Sequence, residues 1–325
     1  MFDVLSAVRR LTVSRAPVWE AFSWETLGFR REALQMIRLE MDSPHGRLVY
    51  ELQVAQEGRT LVHRESLTGP AGPVVTAAPG QATVRRGGRE EHYPGLNRDF
   101  SVLAVLERRE EGASDEVDWF LDFVDGLWVV RPKPELMEGA GRHNGDFSDD
   151  IGRDFPSWCR TLVLTNSIDA ESVARLAAVI PGFEHLVVSG GGRTQVLVVS
   201  FRVGDRRWEL EFDLLSDGQK VLVLLYVLLG AMPGSAKLLA LDEPDNWLSL
   251  REIQPFLVEL GSAAADAGVQ TVIASHNPEV IDFLGPRHAV ILDREDGGAT
   301  TVSAARADPD LRLSELLARG WDAAD

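Results

Sequence analysis

The residues best suited to chemistry lie where the apolar run Leu238-Leu239-Ala240-Leu241 ends in Asp242-Glu243. Such a run reads as a buried parallel strand that delivers two carboxylates to the carboxyl edge of a sheet, where ligands bind in open α/β folds. The two acids have separable tasks. A hard cation such as Mg2+ takes oxygen ligands, and an attacking water needs a base or polarising group beside it. Asp242 is assigned to magnesium, through water, and Glu243 to the attacking water. A plainer reading stands beside this one, because acidic turns after strands are common and Asp-Glu-Pro can simply end a strand.

Upstream, Ser216-Asp217-Gly218-Gln219 opens the apolar run Val221 to Leu229. Ser216 and Gln219 fit a capping box, in which the serine oxygen accepts from the Gln219 backbone N–H and the glutamine side chain reaches back. Uncovered N–H groups at the helix start, the Ser216 hydroxyl and the small Gly218 also make an anion site. Both readings can hold at once. Downstream, His276 follows the strand-like Gln270 to Ser275 and precedes Asn277-Pro278, a fitting N-cap and first helical residue. The chain has seven histidines, and a histidine taken alone is usually structural or merely exposed. The distance from Glu243, one helix-length of sequence, singles this one out.

In this order the three segments resemble the signature motif, Walker B strand and switch histidine of the ATP-binding-cassette ATPases. The branch they are most similar to is the RecF-like, SMC-related predicted ATPases of AAA type. Asp217 stands where the transporter signature has glycine. Asp245 to Leu250, Asp-Asn-Trp-Leu-Ser-Leu, occupies the position of the D-loop, which in the family contacts the partner subunit. The specific match spans Leu214 to Asp293, with a looser similarity upstream to Met1.

The resemblance implies an α/β fold of the ABC-type P-loop NTPase kind, with a mostly parallel core sheet, an antiparallel β subdomain and a helical arm. It implies ATP and Mg2+ as cofactors, with Ser216, Asp217, Gly218, Gln219 and Asp245 toward the nucleotide, Asp242 toward the metal, and Glu243 and His276 in catalysis. It also implies a head-to-tail homodimer in which Ser216 and Gly218 of one protomer meet the ATP held by the other. Hydrolysis, aided by Glu243 and sensed by His276, then releases the dimer.

One part of that machine is not in the sequence. A P-loop needs Gly-x-x-x-x-Gly-Lys-Ser/Thr, whose amides cradle phosphates while the lysine neutralises charge. The lysines here, Lys133, Lys220 and Lys237, follow Pro132, Gln219 and Ala236. The opening Met1 to Leu11 resembles the helix that follows the P-loop in the family. The expectation is therefore a sequence that starts downstream of its first strand and P-loop. Two alternatives stay open: a degenerate, non-hydrolysing cassette acting as a scaffold or regulatory subunit, and a nucleic-acid-sensing ATPase of the repair or defence type.

The elements that must position these residues follow from periodicity and turn chemistry. Met1 to Arg10 reads as a helix. Arg47 to Gln56 alternates Leu48, Tyr50, Leu52 and Val54 with polar residues, and Arg59 to Thr68 completes a hairpin. Pro70 to Pro79 reads as a surface loop, and Gln81 to His92 as a pair turning at Gly87-Gly88. Asp99 to Glu110 and Ser114 to Val124 carry helical periodicity, and the charge run Glu107 to Glu111 reads as a solvated helix end. A linker is expected near Gly139, then helices over Phe147 to Leu164 and Ile168 to Ile180, the latter stopped by Pro181. Phe183 to Ser189, Thr194 to Val203 and Arg207 to Asp213 read as strands joined by Gly190-Gly191-Gly192 and Gly204-Asp205. His288 to Asp293 and Thr300 to Ala304 close the strands, before a helix from Leu311 to Arg319. The corresponding domains are 1–95, the N-terminal part of the ATPase lobe; 96–180, a helical arm or insert; 181–305, the core with signature, Walker B and switch histidine; and 306–325, a helical tail.

Composition bounds the rest. The chain has 325 residues, 45% of them hydrophobic and 26% charged, with a formal net charge of −17, enough for a sizeable core. The acidic total argues against a broad nucleic-acid surface, leaving nucleic acid allowed but unsupported. Single Cys159 excludes an intrachain disulfide and fits a reducing, cytoplasmic setting. No stretch approaches the eighteen apolar residues of a membrane span. No nuclease-type acidic motif follows the ATPase segments, so an effector is expected to be a separate polypeptide.

Overall fold

The computed structural model describes residues 1–22, 34–107, 115–141, 151–190, 194–294 and 300–320. The chain forms two compact units, Met1–Val129 with Ala236–Leu238, and Val130–Ser235 with Leu239–Asp325. The fold class is α/β, with a parallel sheet and antiparallel sheets.

The first unit holds helices α1 (Phe2–Thr12) and α2 (Val18–Ala21) and strands β1 (Leu34–Ser43), β2 (Gly46–Gln56), β3 (Thr60–Gly69), β4 (Gly72–Ala78), β5 (Gln81–Arg86) and β6 (Arg89–Pro94), then α3 (Glu116–Asp125) and β7 (Leu127–Val130). The six strands form an antiparallel meander in sequence order. Leu48, Tyr50, Leu52 and Val54 of β2 are buried, as period-two alternation requires for one covered face. They join one core with Val8 and Leu11 of α1 and Phe120 and Val124 of α3.

Two sequence expectations fail in this unit. Pro70 to Pro79 is not a loop. Its centre is β4, paired with β3 and β5, with Val74, Val75 and Ala77 buried. Pro70, Gly72, Pro79 and Gly80 mark the turns on either side, Gly72 and Gly80 with φ of 101° and 83°. Pro73 is tolerated because it sits where the β3–β4 register shifts. Asp99 to Glu110 is likewise not a helix; over its described part only a 3-10 turn forms, Leu103–Val105. The Ser101 hydroxyl and the Val102 N–H donate to buried Glu65 at 2.6 and 2.8 Å, so tertiary bonding takes groups a helix would need. Residues 108–110 of that segment, and the charge run beyond Glu107, lie outside the described residues.

The second unit contains β8 (Ala140–Gly141), α4 (Ile151–Leu164), α5 (Ala170–Val179), β9 (Phe183–Ser189), β10 (Gln195–Val203), β11 (Arg206–Glu211), α6 (Asp217–Ala231), β12 (Leu238–Asp242), α7 (Leu250–Ala267), β13 (Gln270–Ala274), α8 (Pro278–Leu284), β14 (Val290–Asp293), β15 (Thr301–Ala304) and α9 (Leu313–Arg319). Strand β10 pairs antiparallel with β11 on one side and with β9 and β8 on the other, and β14–β15 is a separate hairpin. The sheet that matters for chemistry has the order β13-β12-β7.

The apolar run Val221 to Leu229 is buried along its whole length in α6, which explains why it lacks a polar face. Gly230 permits close packing on α5, since a Cβ there would collide with the Ser172 hydroxyl. Gly139 is anchored where a linker was expected. Its N–H donates to Asp213 at 2.5 Å, and its carbonyl accepts from Leu197 N–H and buried Arg160. The rest of that segment, with residues 147–150 of the expected helix, lies outside the described residues, as do 191–193 of the expected glycine turn. Among the described residues no helix is long and apolar enough to cross a membrane. Cys159 is buried, and burial pushes its thiol far above the usual range.

Candidate functional site

Strand β12 delivers the acids as its sequence predicts. Leu239, Ala240 and Leu241 are buried, and Asp242 and Glu243 emerge at the carboxyl end. The next residues turn back on themselves. The Glu243 backbone has φ of +48°, a left-handed conformation that disfavours any side chain with a Cβ. Its N–H donates to the Ala274 carbonyl at 2.8 Å, tying the end of β12 to the end of β13. The turn aims the Glu243 carboxylate along the sheet edge toward His276.

Both Glu243 oxygens are engaged. His276 Nδ1 lies 3.1 Å from Oε1, and the Asn246 side-chain amide donates to Oε2 at 2.6 Å. Glu243 and His276 nonetheless keep about half and three-quarters of their side-chain surface exposed. This is a carboxylate oriented by two neighbours and still reachable by water, the arrangement a base for water activation needs. His276 is held in turn by the start of α8: Asn277 caps the helix by accepting from the Glu279 N–H at 3.0 Å, with Pro278 at its first position.

Asp242 accepts from Arg131 Nε at 2.8 Å, in a pair with both side chains about one-third exposed. Arg131 follows the last residue of β7, the strand beside β12. Asp245 is buried and its Oδ1 has no hydrogen-bond partner. Among the described residues no three His, Cys, Asp or Glu side chains converge tightly enough to hold a metal on their own. The donor set fits Mg2+ all the same: its oxygens are hard, Asp242 already pairs with a cation, and Mg2+ is ordinarily held by one or two carboxylates together with waters and substrate phosphates.

Ser216 caps α6 in a full capping box. Its Oγ accepts from the Gln219 N–H at 3.3 Å, and Gln219 Oε1 accepts from the Ser216 N–H at 3.1 Å. Ser216 and Asp217 are exposed. Gly218 packs against the segment after Glu243, since a Cβ there would come within 3.0 Å of the Trp247 carbonyl. Ser216 to Gln219 and Asp245 to Leu250 therefore adjoin, and Leu214, Trp247 and Leu250 are exposed apolar side chains beside them. Lys220 is no stand-in for a P-loop lysine, because it is buried with Nζ donating to the Pro134 carbonyl at 3.4 Å.

The structure thus joins Glu243 to His276 and Gly218 to the segment containing Asp245. Asp242 pairs with Arg131. Sequence reading missed two residues of this site, Arg131 and Asn246. A signal existed for each: Arg131 follows a short apolar run, Leu127 to Val130, much as Asp242 follows its own, and Asn246 lies in a turn, where side-chain amides bond locally.

The family profile that this chain matches gives the class, an AAA-type domain, here on an α/β scaffold. The chain belongs to the family described as "AAA domain, putative AbiEii toxin, Type IV TA system", whose profile matches residues 98–282, more than half of the chain and inclusive of every candidate site residue. Among solved structures it is similar to an SMC head bound to the C-winged helix domain of ScpA (12% identity, 98% of this chain, 88% of that one, TM-score 0.49). It is similar also to the SMC head domain of Thermotoga maritima (16%, 80% and 75%, 0.35) and to an SMC head domain with a coiled coil and joint from Pyrococcus yayanosii (15%, 51% and 31%, 0.37). No curated protein matches the chain.

Proposed function

We propose that this chain binds and hydrolyses ATP, working as a nucleotide-dependent homodimer. The observation that carries the reading is the Glu243 clamp, in which a backbone held at φ +48° and bonds from Asn246 and His276 fix an exposed carboxylate at the end of a buried strand. Strain of this kind persists where surrounding structure over-determines it, and it gathers at active sites.

In this reading Glu243 takes the proton of the attacking water and delivers that water in line with the terminal phosphate. His276 lies on the other side of the same carboxylate and donates to the phosphate, so its contact with Glu243 reports whether the phosphate is present. Asp242 holds Mg2+, which neutralises charge on the phosphate oxygens. Ser216, Asp217, Gly218 and Gln219 offer a helix start to ATP bound by the facing protomer, and Asp245 lies in the loop that meets that protomer. ATP then joins the subunits through charge-assisted hydrogen bonds, and its hydrolysis parts them.

The test is Mg2+-dependent ATP binding, hydrolysis and dimer formation, measured on this chain and on one extended upstream through any in-frame Gly-x-x-x-x-Gly-Lys-Ser/Thr. Glu243→Gln should trap an ATP-bound dimer in whichever form binds ATP, seen by light scattering. A folded Glu243→Gln protein that stays monomeric with bound ATP sinks the dimer mechanism. Absence of ATP binding in both forms favours the scaffold or regulatory alternative.

A further inference from the structure

Arg131 is the strongest feature of the molecule that the reaction sketched above leaves without a task. It stands one residue beyond β7, beside the end of β12, and its Nε donates to Asp242 Oδ2 at 2.8 Å. Adjacent strands of one sheet therefore deliver a guanidinium and a carboxylate to the same edge. Both members are about one-third exposed. That separates the pair from Arg86 with Asp115 and Asp118, where every side chain is nearly closed to solvent. A closed pair fixes structure, whereas a part-exposed pair can exchange with a solvated competitor at modest cost.

We propose that Arg131 is a positioning residue for the metal: a resident counter-ion that holds Asp242 toward the sheet edge and gives way, wholly or in part, to the divalent cation that accompanies nucleotide. The inference rests on the assignment of Asp242 to that cation. Two cations gathered at one carboxylate repel each other, directly or across a shared water. Metal binding therefore includes the breaking or lengthening of the Arg131 bond, and the arginine sets how tightly metal is held. In the absence of metal it also keeps the edge from carrying an uncompensated acid. Because a part-exposed ion pair is weak, the competition is mild, and removing the guanidinium should tighten metal binding by about threefold.

The experiment titrates Mn2+ into whichever form of the protein binds ATP, in the presence of excess non-hydrolysable ATP analogue, and reads free Mn2+ by electron paramagnetic resonance, so no turnover is involved. Arg131→Met is expected to tighten Mn2+ binding, Arg131→Lys to restore most of the parental value, and Asp242→Asn to remove the site. An Arg131→Met protein with unchanged or weaker Mn2+ affinity, alongside loss in Asp242→Asn, overturns the role of Arg131 and leaves that of Asp242 standing. Equal affinities in the parent and all variants, or no binding in any of them, overturn both. Should Arg131→Met fail to fold, the parent protein decides the matter: the Arg131 Nε–H resonance should shift when Mg2+ and the analogue are added, and a resonance that stays in place refutes the exchange.

Discussion

Glu65 in the first unit and the acids at the end of β12 in the second are treated in opposite ways. In the first, Glu65 is fully buried and satisfied: it accepts from the Tyr50 hydroxyl at 2.9 Å, the Ser101 hydroxyl at 2.6 Å and the Val102 N–H at 2.8 Å. Arg86, also buried, is matched by Asp115 and Asp118 and by the Glu107 carbonyl. In the second, Asp242 pairs with a part-exposed arginine, Glu243 sits on a left-handed backbone, and Asp245 is buried with an unpartnered oxygen. Buried polar groups are normally all partnered, so a carboxylate as fully bonded as Glu65 marks an element built for stability. Strain and an unmet hydrogen-bond demand mark the place where something else is to bind or react.

The largest expected effect breaks the first half of this contrast. Glu65→Ala leaves three buried donors without an acceptor, and should cost about 4 kcal/mol of unfolding free energy, measured by denaturant titration. Burial raises the Glu65 pKa, and its three hydrogen bonds only partly offset that. The folded state therefore keeps this proton to higher pH than the unfolded chain does. Stability assigned to Glu65 is present below the ordinary carboxylate pKa and is lost as pH rises through the raised one. Glu65→Gln should flatten that slope. An Ala variant within about 1 kcal/mol of the parent would show that the network is decoration.

The second prediction turns to the edge. In whichever form of the protein turns over ATP, Glu243→Gln should lower kcat by about a hundredfold or more, the usual worth of a positioned base. Its unfolding free energy should stay within about 0.5 kcal/mol, because the side chain is half exposed. The pairing with Glu65 is what sharpens the contrast: one carboxylate is expected to support the fold, and the other only the reaction. A Glu243→Gln protein with parental kcat removes Glu243 from the chemistry.

How far these differences could be read in sequence depended on whether the cause was local. The capping box at Ser216 and Gln219, the buried run in α6 and the strand ending at Asp242 are local patterns, and each formed as its residues dictate. Strand β4 was hidden because glycine and proline at its two ends dominate its composition. Strand β1 is an edge strand with Leu34 and Met36 exposed and Ile37 and Leu39 half-buried, so apolar residues on both faces erase the period of two. At the site, Asp242, Glu243 and His276 could be named from a linear motif. The contact between Glu243 and His276 spans 33 residues and that between Arg131 and Asp242 spans 111, and nothing local encodes either. The left-handed turn at Glu243 was equally hidden, since glutamate is not a residue whose presence announces positive φ.

A smaller effect is expected at the start of α6. Ser216→Ala removes the N-cap acceptor and should cost about 1 kcal/mol in stability. On the proposed mechanism it should also weaken ATP-dependent dimerisation by more than that loss explains, while Asp169→Ala, which removes the N-cap acceptor of α5, should lower stability by a similar amount and leave dimerisation alone. Equal effects of the two variants on dimer formation would reduce Ser216 to a helix cap, and the contrast between the units would then rest on the acids.

The smallest effect is the most diagnostic, because its sign is unusual. Left-handed backbone costs a residue with a Cβ about 1–2 kcal/mol, and glycine escapes it at an expense of about 0.4–1 kcal/mol in unfolded-state entropy. Glu243→Gly should therefore raise stability by about 0.5 kcal/mol, even though it discards the bonds to Asn246 and His276. Glu259→Gly, on the right-handed backbone of α7, should lower it by about 1 kcal/mol, since glycine is a poor helix residue. The same substitution then carries opposite signs at two glutamates of one unit. If both lose stability equally, the φ of Glu243 stores no strain. If Glu243→Gly gains stability and loses hydrolysis together, the edge of β12 is a place where folding free energy is given up so that a carboxylate can face water.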